Sequence, residues 1–203
     1  MGKIDYKKEF STLYKASAKT PHVVDVHEMN FLLVDGQGDP NSSQDFQDAI
    51  EALYSLSYTL KFAIKKGPSG VDYGVPPLEA LWWADDFTAF KEGRKDEWKW
   101  TLMIMQPEFV TRELLDDAIE TVRAKKDPAA LSKVRFEPFC EGPAAQILHV
   151  GPYSEEGPTI EKLHEFICES GRKLAGKHHE IYLGDPRRAA PEKLRTIIRQ
   201  PMK

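Results

Sequence analysis

Apolar positions along the chain switch between two spacings, and each switch marks an element. Residues 1–20 are polar and lysine-rich and read as an N-terminal arm with a partly helical stretch. From Val23 the chain becomes strand-like, and residues 27–35 are rich in extended formers before Gly36 and Gly38. Asp39-Pro40-Asn41-Ser42-Ser43 is turn and cap material that announces a helix. Phe46, Ile50, Leu53, Ser57, Leu60 and Ile64 then recur three or four residues apart, which predicts a long helix ending at Lys65-Lys66-Gly67. Tyr54, Tyr58 and Phe62 form a second stripe on it, so burial on more than one side is expected. After a glycine- and proline-rich loop over 67–77, residues 78–84 and 98–106 read as strands, with the charged segment 85–97 as a long hairpin loop. Pro107 closes the second strand because it cannot donate to a ladder. Thr111 is placed to cap a helix over 112–126.

The rest of the chain repeats that order. Residues 144–150 read as a strand, Gly151-Pro152-Tyr153 as a turn, and 159–170 as a helix with Ile160, Leu163 and Ile167 inward and Gly171 as its stop. Strands follow at 180–184 and 195–200. Met103-Ile104-Met105-Gln106-Pro107 is echoed by Ile197-Ile198-Arg199-Gln200-Pro201, so each half reads strand, helix, strand, strand and closes on Gln-Pro. The expected fold is α+β: a tandem pseudo-twofold repeat of strand–helix–strand–strand modules, with antiparallel sheets around a central cleft. The expected organisation is an arm over 1–20 and one domain over 21–203. Its first half covers about 21–107, the connecting helix about 111–126 and the second half about 136–203. Duplicated halves tend to leave a groove where they meet, and grooves are common ligand sites.

Composition narrows the function classes. The chain has 203 residues, 41% of them apolar, enough for one sizeable core. A net charge of −4 argues against a general phosphate-binding surface, so no direct nucleic-acid binding is expected. The lysine-rich start is followed by no apolar run of signal length, and apolar stretches elsewhere are strand-sized, so neither a signal peptide nor a membrane span is expected. Cys140 and Cys168 lie far apart without zinc-ligand spacing, which fits a reducing cytoplasm. They read as buried small apolar side chains rather than nucleophiles.

Candidate chemistry concentrates in His178-His179-Glu180-Ile181-Tyr182-Leu183-Gly184. In a strand, alternate side chains share a face, so Ile181 and Leu183 point to the core while His178, Glu180 and Tyr182 line the other side. A carboxylate among aromatic rings attracts cations, or serves as a general acid or base with a raised pKa. A solvated strand face with an ordinary glutamate is the plain alternative. Trp82 and Trp83 are adjacent, so one faces core and the other groove; Trp98 and Trp100 share a face of the next strand. Tyr73 and Tyr153 sit in turns nearby in the pattern. Aromatic faces bind flat molecules and cations at about 0.5–2 kcal/mol per contact, although core packing is the ordinary role of any single ring. His178 and His179 point to opposite faces and cannot share a metal, and no metal or other cofactor is expected. No GxSxG elbow or P-loop is present. Asp185-Pro186-Arg187-Arg188 with Lys193, Arg195 and Arg199 forms a basic patch, read as a solvated edge or an anion-docking surface.

Residues 179–188 (His-Glu-Ile-Tyr-Leu-Gly-Asp-Pro-Arg-Arg), then Pro191-Glu192-Lys193-Leu194 and the closing 195–201, resemble the C-terminal signature of GyrI-like domains. The Gly151-Pro152-Tyr153 turn matches too, and residues 22–40, 77–84 and 101–110 resemble a stand-alone branch of that superfamily. The resemblance covers about residues 20–203. It implies the tandem strand–helix–strand–strand fold and a small-molecule role. Family members include drug-sensing halves of transcription regulators, gyrase inhibitors and stand-alone proteins. In the sensors a tyrosine-ringed glutamate of the penultimate strand meets cationic lipophilic drugs, and Glu180, with Tyr182 and Tyr153 beside it, matches that position. The stand-alone branch includes enzymes that hydrolyse the strained cyclopropane of DNA-alkylating natural products. Carried over, this makes Glu180 and Tyr153 the catalytic candidates, with Tyr182 beside them and Trp82 or Trp83 stacking on the substrate; the residue pattern read above adds Tyr73, Trp100 and His178 as ligand-binding candidates. The partner is then an aromatic or lipophilic small molecule, and a homodimer is left open. No helix-turn-helix and no long dimerisation helix precede the domain, so transcription regulation by this chain alone is not expected. A non-catalytic drug binder and a gyrase-inhibitor-like interaction protein are the alternatives.

Overall fold

The computed structural model describes residues 2–86 and 88–203. Two single-turn helices, α1 (Tyr6–Glu9) and α2 (Ser11–Tyr14), lead into β1 (His22–Val26) and β2 (Met29–Gln37). The long α3 (Gln44–Lys66) is followed by β3 (Leu78–Trp83), the one-turn α4 (Thr88–Lys91) and β4 (Lys99–Gln106). After α5 (Arg112–Lys125) come β5 (Arg135–Phe139), β6 (Gly142–Val150), α6 (Gly157–Glu169), β7 (His178–Tyr182) and β8 (Arg195–Pro201). The fold is α+β, and all strand pairs described below are antiparallel. The repeated order is β2-α3-β3-β4 and β6-α6-β7-β8. The segment 85–97 is more than a hairpin loop, because α4 and a 3-10 turn over Lys95–Glu97 organise it. The strands β1 and β5 also lie outside the duplicated order, and both are short and flanked by polar residues, which hid β5 from a period-based reading.

The chain divides into two compact units. The first gathers the segment up to Glu9, Met29–Pro76 and Trp82–Phe139; the second gathers Phe10–Glu28, Pro77–Leu81 and Cys140–Lys203.

In the first unit β2 is central, paired with β4 on one side and β5 on the other. Phe31, Leu32, Leu33 and Val34 are all buried, as are Leu102 to Met105, so both faces of these strands are shielded from water. Helix α3 begins at Ser43, whose hydroxyl accepts from the Phe46 N–H at 3.3 Å. Asp45 in its first turn and Lys65 and Lys66 in its last suit the helix dipole. Its buried stripe holds Phe46, Leu53, Leu60 and Ile64, as the spacing predicts. The second stripe does not follow expectation: Tyr58 and Phe62 are exposed, at 48% and 46%.

In the second unit the strand order is β1-β6-β8-β7. Leu163 and Ile167 of α6 pack with Ala145, Ile147, Ile198 and Met202, and Ile160 and Phe166 flank them. Gly171 ends the helix with a left-handed φ of 77°, the conformation that favours glycine.

Gly36 opposes Trp100 in the β2–β4 register. Trp100 is fully buried and its indole lies on the glycine, so that a Cβ there would meet Cη2 at 2.1 Å. The indole also meets the Phe46 ring edge-on at 5.1 Å. The indole is therefore clamped, and Gly36→Ala must displace it. We expect that substitution to cost about 2–4 kcal/mol, measured by urea unfolding.

Candidate functional site

Strand β7 carries polar side chains on both faces, with different surroundings on each. On one face His179 is buried at 1% exposure beside Ile181 at 0%. Its Nε2 lies 3.0 Å from Glu79 Oε2, and its Nδ1 lies 3.0 Å from both oxygens of Glu141. Burial alone would depress this imidazole, but the Glu141 and Glu79 carboxylates outweigh it and raise its pKa to about 9. His179 is thus an imidazolium that donates from both nitrogens. Tyr14 Oη donates to Glu79 at 2.8 Å. Arg199 Nη1 donates to Glu141 at 3.2 Å, Nη2 to the Leu13 carbonyl at 2.7 Å and Nε to Gln146 at 3.0 Å. Two cations and two carboxylates compensate one another, and α2 is tied to β8 through them.

The opposite face holds His178, Glu180 and Tyr182, all partly buried. Tyr182 Oη donates to Glu180 Oε2 at 2.7 Å, and His178 Nε2 lies 3.2 Å from Oε1. Burial pushes the Glu180 carboxyl up, but His178, through its hydrogen bond and its charge, and the Tyr182 hydroxyl together hold it below the usual carboxylate range. The expectation of a raised Glu180 pKa is therefore corrected. The raised group is Glu156, at the N-terminus of α6. It is 4% exposed, and burial first and the Glu180 charge second push it up to about 9, against a smaller opposing effect from Thr196. Glu156 Oε1 and Thr196 Oγ1 are both buried and neither closes a hydrogen bond. One carboxyl of the pair keeps a proton at neutral pH and the other does not, because two like charges this close do not both ionise.

Tyr153 completes the cluster. Its ring meets Tyr182 edge-on at 5.6 Å, and it is 39% exposed. The turn that presents it is held by His149, whose Nε2 lies 3.3 Å from the Pro152 carbonyl and whose Nδ1 lies 3.0 Å from Thr159 Oγ1. Gly151 has φ 144°, and a Cβ there would come within 3.2 Å of His149 Nε2. His164 of α6 sits beside His178, with its pKa depressed by burial and by that neighbour.

The sequence did not single out Glu156. A signal was available: Glu156 stands four residues before Ile160 on the inward stripe that continues through Leu163 and Ile167. A carboxyl on the apolar stripe of a helix is costly unless it is protonated or paired. The remaining candidates lie in or at the edge of the first unit. Trp82 stacks on Phe46 at 5.9 Å, Trp83 is half-buried, and Trp100 is clamped against Gly36. Tyr73, 1% exposed, meets Tyr6 and Phe109 edge-on. The expectation that Cys140 and Cys168 are buried is corrected: both are exposed.

The model of the GyrI-like small molecule binding domain matches residues 19–203. The chain belongs to this family. Solved structures similar to it include an uncharacterized conserved protein from Listeria innocua, 42% identical with a TM-score of 0.91 over 99% of this chain and 100% of that one. A protein described as a hydrolase from Listeria innocua is 41% identical, with a TM-score of 0.87 over 99% and 100% of the two chains. The C-terminal domain of EcmrR shares the fold at 12% identity, with a TM-score of 0.57 over 91% and 97%. No curated protein matches the chain. Among the described residues no helix is long and apolar enough to cross a membrane, and no group of three His, Cys, Asp or Glu side chains is arranged to hold a metal.

The carboxyl pair makes stability depend on pH with a definite sign. Folded Glu156 holds its proton to about pH 9, whereas its ordinary value is 4.5, so the folded state binds the extra proton between those limits and stability falls as pH rises across them. His179, raised from 6.5 to about 9, adds a loss of the same sign over its own window. The lowered Glu180 and Glu141 contribute stability already present above their ordinary value, so they do not oppose the trend. Glu156→Gln is expected to flatten the alkaline decline and raise the melting temperature at high pH by a few degrees, read from melts across the pH range.

Proposed function

We propose that this GyrI-like chain is a cytoplasmic, cofactor-independent hydrolase of lipophilic aromatic electrophiles, with cyclopropanoid genotoxins as the substrate class. The observation that carries the reading is the unequal carboxyl pair: Glu180 ionised, Glu156 protonated, with Tyr153 and Tyr182 beside them. The similarity to a Listeria innocua protein described as a hydrolase supports it.

An electron-poor cyclopropane needs two proton movements. Glu180 accepts a proton from water as the water oxygen bonds to the strained methylene carbon. The ring carbon–carbon bond breaks, and its electron pair moves into the conjugated carbonyl system. Glu156 or the Tyr153 hydroxyl delivers a proton to the oxygen where that charge collects. The product is the ring-opened water adduct, and no oxidant or reductant is needed. Ring strain supplies much of the driving force, so positioning and one acid–base pair suffice. Tyr182 orients the Glu180 carboxylate by its 2.7 Å hydrogen bond, and His178 tunes it from the other oxygen. In this reading the partly exposed Tyr153 ring also offers an aromatic face to a flat substrate.

A second reading is favoured by one observation, the ionised Glu180 beside tyrosine rings, which is a feature of cation-binding sites. Such a protein would hold cationic aromatic compounds without turning them over. The two readings separate in one assay. Purified protein is mixed with a cyclopropane-bearing alkylator, and the water adduct is followed by mass spectrometry. Turnover is expected, with Glu180→Gln lowering it roughly 100-fold or more. Saturable binding by calorimetry without adduct would replace catalysis by binding alone.

A further inference from the structure

Helix α3 carries an aromatic ladder, half-buried at Tyr54 and exposed at Tyr58 and Phe62. Tyr54 stacks on Tyr58 at 6.2 Å between centroids, and Tyr58 on Phe62 at 6.5 Å. Tyr58 and Phe62 leave nearly half of their surface in water, and large aromatic side chains in register on one helix face are costly to leave so. The ladder is bracketed by opposite charges. Glu51 stands seven residues before Tyr58 and Lys65 seven residues after it, and two full helical turns place both on the face of Tyr58. Tyr54 and Phe62 stand four residues before and after the same centre.

This arrangement complements itself under one operation. We propose that the aromatic face of α3 is a self-docking surface, on which a second copy of this chain lays its own α3 antiparallel about a twofold axis through Tyr58. Tyr58 then meets its counterpart, Tyr54 of each copy meets Phe62 of the other, and Glu51 of each copy meets Lys65 of the other. A twofold interface uses one patch on both copies, which is what the symmetric spacing supplies.

Glu51 and Lys65 each have a partner within the chain, Lys126 and Asp72, yet their side chains remain 41% and 46% exposed. A carboxylate has two acceptor oxygens and an ammonium three donors, so each can hold a second partner. The stretch from Glu51 to Lys65 is about 21 Å long at 1.5 Å per residue, and three aromatics per copy supply its apolar centre. A single helix face of that length is smaller than a standard interface, so the association is reversible and concentration-dependent.

Light scattering on the full chain tests this over a concentration series. The expected mass rises from 23.1 kDa toward twice that value as concentration increases. Tyr58→Glu, which sets two like charges on the axis, should hold the mass at one chain while circular dichroism stays unchanged. Glu51→Lys and Lys65→Glu should each weaken association roughly tenfold, because each faces like charge at both ends. Mixing these two variants should restore it, because the mixed pair regains opposite charges at both ends. A mass that never leaves one chain's value overturns the proposal, as does a dimer that survives Tyr58→Glu. Folded single variants that fail to associate on mixing overturn the antiparallel register.

Discussion

A buried positive charge organises the second unit. His179 has no water to solvate it and depends on Glu79 and Glu141, which lie on separate segments of the chain. Arg199 then shares Glu141, reaches back to the Leu13 carbonyl and fixes Gln146. Removing any one member would leave a charge uncompensated in the interior, so the group behaves as a unit. Its structural result is that β7 is held firmly from below. The carboxylate on the other side of the same strand inherits that rigidity.

The two glutamates above the strand illustrate how environment divides one chemistry into two roles. Glu180 is surrounded by a histidine and a phenol that favour its charged form. Glu156 has little beyond Thr196 and a neighbour of its own sign, at the buried start of α6. Even a helix N-terminus, which ordinarily favours a negative charge, does not reverse that balance.

Much of the fold was legible because its signals are local. Spacing identified α3, α5 and α6 and the strands of both modules, and the echo of Gln106-Pro107 in Gln200-Pro201 exposed the duplication. The alternation in β7 correctly put Glu180 and Tyr182 on one face, because period two needs no tertiary information. What escaped depends on partners far away in sequence. Glu141 and Glu79 read as ordinary polar residues, since only the fold brings them to His179. Glu156 looked like turn material beside Glu155, although its place on the stripe of Ile160 and Leu163 marked it. The ladder of Tyr54, Tyr58 and Phe62 was misassigned for a related reason: apolar periodicity says that a face seeks cover, and not whether the cover comes from the same chain.

The adjacency of His179 and Glu180 has an evolutionary consequence. Because successive residues of a strand point to opposite sides, slipping β7 by a single position would carry the salt-bridged imidazolium to the upper face and thrust a different side chain among Glu79, Glu141 and Arg199. What a lineage has to keep is therefore the register of β7 against β8, whatever the length of the segment between α6 and β7, because a slip loses the anchor and the carboxyl pair together. Slipped registers that keep a stable but altered face are closed to it, so integrity of the fold acts as a proofreader for the site.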